Sequence, residues 1–93
     1  MITAIVFVHV KSDQIPEVAE QIAALEGVSE VYSVTGRIDL IVMVRVRDFE
    51  TVADVISDRI SKVPGVLDTT THLAFRAFSQ HDLESTFSLG VGD

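Results

Sequence analysis

The 93-residue chain sets fourteen acidic side chains against seven basic ones, a formal charge of −7, with 47% hydrophobic residues and no cysteine. Its length allows one domain around a single core, and the missing thiols exclude a disulfide framework, a thiolate metal site and a cysteine nucleophile. The seven cations are scattered along the chain, so no local basic patch is expected, and neither a nucleic-acid backbone nor an anionic membrane fits as the main partner.

No apolar run approaches the ~20 residues of a membrane span, and no basic region followed by a long apolar run opens the chain. The expected location is the cytoplasm.

MITAIVFVHV, residues 1–10, is rich in β-branched residues and apolar on both alternating faces. A strand wetted on one side alternates apolar with polar, so this pattern predicts a strand covered on both faces, by helices on one side and a second subunit on the other. Asp13 is the expected N-cap of a helix running to about Glu26, with Pro16 tolerated in its first turn. Ile15, Val18, Ala19, Ile22 and Leu25 form its apolar stripe, and Gly27 stops it. Residues 28–35 suit a sheet-edge strand. Gly36-Arg37 reads as a tight hairpin turn in which glycine allows a positive φ, and residues 38–46 as the next strand, apolar on both faces except for Asp39 and Arg45.

Asp48 is the expected cap of a second helix, with Phe49, Val52, Ile56, Ile60 and Val63 on its stripe and Pro64-Gly65 at its end. Residues 66–78 read as one long strand. The tail, residues 81–93, is expected to hold a short helix from Asp82 and then fray, leaving residues 1–80 as the domain proper.

The element order is β-α-β-β-α-β, with a faint repeat between LEGVSEV at 25–31 and VPGVLDT at 63–69. Two such halves predict an α+β, ferredoxin-like fold: a four-stranded antiparallel sheet of order 4-1-3-2 with both helices on one face. The first and third strands are central in that topology, and these are the two that are apolar on both faces. The uncovered face would then be a large apolar patch, which predicts a dimer packed sheet to sheet.

Chemistry-bearing residues are few. His9, His72 and His81 are the only imidazoles, and nothing in their spacing makes them meet as metal or haem ligands. No nucleophile or phosphate-loop motif exists, so no catalytic residue, cofactor or metal is expected. Two polar clusters remain: Thr35, Gly36, Arg37 and Asp39 at the hairpin, and Asp68 with Thr69, Thr70 and Thr71 at the start of the last strand. In the predicted topology both lie at one end of the sheet, together with the exit of the first helix. Arg37 or backbone amides for a carboxylate and Asp39 for an ammonium would suit a zwitterion. A hairpin turn with a local Arg37–Asp39 salt bridge and β-favouring threonines explains the same residues.

VTGRIDLIVMV at 34–44, followed by KVPGVLDTTTHLAF at 62–75, resembles the effector-binding domain of the Lrp/AsnC (feast/famine) regulators. The matching positions are Val34, Gly36 and Asp39, then Pro64, Gly65, Val66, Thr69 and Thr71. The resemblance implies dimers that assemble further, and small effectors, typically amino acids, held between dimers near these two motifs. Carried over residue by residue, it points to Gly36, Asp39, Thr69 and Thr71, with Thr35 and Arg37 as neighbours. Family members often carry an acidic residue after the glycine and an aromatic before the aspartate; Arg37 and Ile38 stand there instead. With the first strand opening the chain, no helix-turn-helix precedes it, and the expectation is a stand-alone effector domain without direct DNA contact that co-assembles with full-length regulators. Two other readings share the topology: a dimeric α/β-barrel enzyme of monooxygenase or isomerase type using His9 or His72, and a pure oligomerisation domain. The ACT domain has the same order but a glycine-rich turn after the first strand, where this chain has KSDQ.

Overall fold

A computed structural model describes residues 1–80; the expected tail helix from Asp82 lies outside the described residues. Strand β1 (Ile2–Val10) is followed by helix α1 (Ile15–Ala23), strands β2 (Val28–Ser33) and β3 (Leu40–Val46), helix α2 (Phe49–Ala53) continuing as a π-helical segment over Asp54–Ile60, and strand β4 (Val66–Leu73). The sheet runs β2-β3-β1-β4 with every neighbouring pair antiparallel, so the ferredoxin-like topology and the central place of β1 and β3 hold.

The alternation of β1 and β3 divides the sheet cleanly. Ala4, Val6, Val8 and Val10 of β1 and Leu40, Val42, Val44 and Val46 of β3 are buried beneath the helices with Val18, Ile22, Val52, Val55 and Ile60. The intervening Ile5, Phe7 and His9 of β1 and Ile41 and Met43 of β3 are only half-buried on the other face. No helix among the described residues covers them, and these residues present the apolar open face expected from the two-sided pattern.

Several boundaries move, each for a local reason. The carbonyl of Gln14 accepts the first helical hydrogen bond, from the Val18 amide at 3.0 Å, so Gln14 and not Asp13 is the cap, and it supplies no side-chain bond. Helix α1 ends at Ala23, short of Glu26, because the chain tightens into an i→i+3 bond from the Leu25 amide to the Ile22 carbonyl. In the second helix, Val55 rather than Ile56 is fully buried. The π turn, with a bond from the Ser61 amide to the Ile56 carbonyl, brings Val55 and Ile60 to the core together at a spacing of five. Asp48 does cap this helix, accepting from the Thr51 amide and the Thr51 hydroxyl, both at 2.8 Å.

Strand β4 ends at Leu73 instead of reaching Phe78. Its last bond to β1 is the Ala74 amide donating to the Thr3 carbonyl, and the Ala4–Leu73 pair is the last of the ladder.

Candidate functional site

The β2–β3 connection is a six-residue loop, 34–39, rather than a two-residue turn, closed by the Val34 amide donating to the Asp39 carbonyl at 3.1 Å. Asp39 explains the difference. Its amide donates to the Val8 carbonyl at 3.0 Å, and its carboxylate accepts from the Val10 amide at 2.8 Å. The backbone and side chain of one residue thus tie the loop to the end of β1, and β2–β3 pairing starts only at Ser33–Leu40. The register of β1 against β4 shifts between His9 and Val10, where Val10 pairs with Val66, so the Asp39 carboxylate secures an amide beside an irregular rung.

The same end of the sheet holds the entry of α1, not its exit. The Lys11 amide donates to the Gly65 carbonyl at 2.9 Å, and a Cβ on Gly65 would come within 2.5 Å of Gln14 Oε1 and 2.7 Å of Val18 Cγ2. With φ at +101° as well, this position requires glycine. Gly36 has φ of +110° but open space around it; there the backbone conformation alone asks for glycine.

Thr35, Gly36 and Arg37 are exposed on the loop. Arg37 makes no ion pair among the described residues, so the expected Arg37–Asp39 bridge is absent; the neighbour of the Asp39 carboxylate is His9, with Nδ1 3.9 Å from Oδ2. Thr69 and Thr71 stand opposite Val8 and Val6, which places them on the helix side of the sheet. Asp68, Thr70 and His72 pair with His9, Phe7 and Ile5 and so lie on the open face. Asp39 and Thr69 are separated by β1, two strand spacings or about 10 Å. One chain therefore brings the loop and the threonines to the same end of the sheet, with Asp39 beside the open-face His9 and Thr69 and Thr71 on the helix side.

His9 is named in the enzyme reading and not among the ligand-site candidates; its closeness to Asp39 follows from the β1–β3 register, in which Val8 pairs with Leu40 and His9 comes opposite Asp39. Its distance from His72 is set by the strand: His72 pairs with Ile5, four residues along β1 from His9, about 13 Å. The His72 ring packs against Phe7 with centroids 4.8 Å apart and the planes tilted by 49°. Both histidines face away from the helices, so neither reaches the space between helices and sheet that a barrel enzyme of the kind considered above would use.

A βαββαβ chain whose single antiparallel sheet has both helices on one face defines a ferredoxin-like domain. The sequence matches the Lrp/AsnC ligand-binding domain over residues 3–83, and the chain belongs to that family. It is 41% identical over 59 residues to PH1916, an HTH-type transcriptional regulator of Pyrococcus horikoshii; the match covers 63% of this chain and 39% of the relative. The chain thus spans about two-fifths of that relative's length. The crystal structure of TTHA0845 from Thermus thermophilus superposes with a TM-score of 0.80 at 44% identity, over 86% of this chain and 100% of that one. The transcriptional regulator NMB0573 of Neisseria meningitidis, solved as a complex with L-Met, shares the fold at a TM-score of 0.76 and 16% identity, covering 85% of this chain and 53% of that one. PH1916 and NMB0573 are transcription regulators by name, not enzymes. Among the described residues no helix is long and apolar enough to cross a membrane.

Proposed function

We propose that the chain is a small-molecule-sensing, self-associating regulatory module whose effector, an amino acid, binds at the loop end of the sheet between copies of a sheet-to-sheet dimer. The observation that carries this reading is the placement of the candidate residues. Thr35, Gly36 and Arg37 are exposed on the loop, and Thr69 and Thr71 are on the helix side of β4, about 10 Å from Asp39 across β1. A ligand that touches both sets would take them from two different copies, which is the arrangement the family resemblance implies. The uncommitted Arg37 guanidinium suits a carboxylate. Asp39, already bonded to the Val10 amide, positions the loop more than it offers a free carboxylate.

The open face of β1 and β3 supplies the dimer surface in this reading: Phe7, Ile5, Ile41 and Met43 are apolar neighbours on the face that neither described helix covers. Acting in the cytoplasm and contacting no DNA itself, the module would affect transcription by co-assembling with full-length regulators of its family. An effector shifts such an assembly only as far as its affinities for the two states differ.

Titration calorimetry of the chain against the twenty amino acids, with light scattering on the same samples, tests the reading. Saturable heat with at least one amino acid and an accompanying change of mass are expected, with affinity weakened in Arg37→Ala. No heat and no mass change with any of the twenty would overturn it.

A further inference from the structure

The end of the sheet opposite the loop holds a cleft of ≈ 400 Å³. Arg45 and Arg47 enter it from the end of β3, Arg59 from the π-helical segment, and Glu26, Asp48 and Thr51 complete its polar wall. Three of the seven cations of an acidic chain meet here, although they are scattered in sequence. They meet because β3, the α1–β2 turn and α2 converge at this end, where Glu26, Glu30 and Asp48 accompany them.

The state of each charge matters. Arg45 donates through Nη1 to both carboxylate oxygens of Glu30, at 3.0 and 3.2 Å, and is thereby paired. Arg59 donates through Nη1 to the Glu26 carbonyl at 3.0 Å, a neutral partner that orients the guanidinium and leaves its charge uncompensated. Arg47 is exposed and has no partner among the described residues. A guanidinium carries five N–H donors, so all three arginines keep donors to spare. On the acidic side, the Asp48 carboxylate is engaged by the amide and hydroxyl of Thr51. The exposed Glu26 is the remaining lining carboxylate. Beside the Arg45–Glu30 pair, Arg47 and Arg59, without a carboxylate partner among the described residues, face the two carboxylates Asp48 and Glu26. The cleft is therefore balanced in charge but keeps unused guanidinium N–H donors.

We propose that this cleft is a second ligand site, taking a small molecule that carries carboxylate or phosphate groups. Arg47 is the principal contact, and the oriented Arg59 and Arg45 flank it. Planar, forked N–H donors match the oxygens of either group, and the volume falls within the ~300–1,000 Å³ of small-molecule sites, more than a single ion needs. The site lies at the far end of β3 from the effector loop and is independent of the reading given for that loop.

Amide NMR spectra of the whole chain, titrated separately with inorganic phosphate and with citrate at constant ionic strength, test it. Saturable shifts at Gly27, Arg47 and Thr51 are expected with at least one anion, without matching changes at Gly36. Arg47→Ala should weaken binding about tenfold or more, the loss of a charge-assisted pair of hydrogen bonds, while Lys11→Ala, which removes a cation from the opposite end, leaves it unchanged. Saturation by phosphate alone points to a phosphorylated ligand, and saturation by citrate alone to a polycarboxylate. Three results would overturn the proposal: no saturable shift with either anion, an unchanged affinity in a folded Arg47→Ala protein, or equal weakening in both variants.

Discussion

The two faces of this sheet are built from the same strands and nearly the same residue types, yet only one is a finished core. On the helix side, Val6, Val8, Leu40, Val42 and Val44 are fully buried beneath α1 and α2. On the open side, Ile5, Phe7, Ile41 and Met43 alternate with them one residue away and remain half-buried. Apolar surface left in water forgoes roughly 25 cal/mol per Å². The covered face thus accounts for why the chain folds, and the bare face for what it is expected to meet once folded.

The comparison sharpens most where a residue belongs wholly to the covered side. Ile22→Ala should lower folding stability by about 3 kcal/mol, the cost of a cavity at a fully buried site, read from the midpoint of urea unfolding. Gly65→Ala is expected to cost about 2 kcal/mol or more, from the positive φ and the clash with Gln14 and Val18. Asp39→Ala should follow at about 1.5 kcal/mol, the loss of a charged acceptor from the Val10 amide, and should raise amide exchange at Val10 specifically.

The smallest effect belongs to Asp48. The amide of Thr51 first, then its hydroxyl, hold this carboxyl below its ordinary value of 3.8. A pKa depressed in the folded state means the folded protein binds fewer protons there than the unfolded chain, so the contribution is complete above 3.8 and fades as pH falls through the lowered folded value. Asp48→Ala should therefore be slightly less stable than the parent at neutral pH. The difference should disappear in strong acid, as thermal unfolding at the two pH values would show.

How far the chain could be read in advance follows the same division. Element order, strand order and the bare face were legible because they rest on periodicity: period two in β1 and β3, helical stripes between them. Asp48 was legible because a cap is a local device. Three features were not. The π turn that buries Val55 depends on how α2 settles on the sheet, and the stripe through Ile56 fits an ordinary helix equally well. The end of β4 at Leu73 is set by pairing with β1 and not by its own pattern, since Phe75 and Ala77 continue the alternation past it. The role of Asp39 depends on a backbone amide 29 residues away in β1. The family motif picked out Asp39, Thr69 and Thr71 together, but only the register shows that Thr69 and Thr71 lie on the opposite side of the sheet from His9, the neighbour of Asp39.

The mass of the assembly in solution tests the division between the faces most directly. Light scattering should give the parent chain at least twice its 10.2 kDa monomer mass, and Phe7→Asp, which places a carboxylate in the middle of the bare face, should fall to the monomer while keeping its helix and sheet content by circular dichroism. A parent that is monomeric at the same concentration, or a Phe7→Asp protein that keeps the parental mass, would contradict the account.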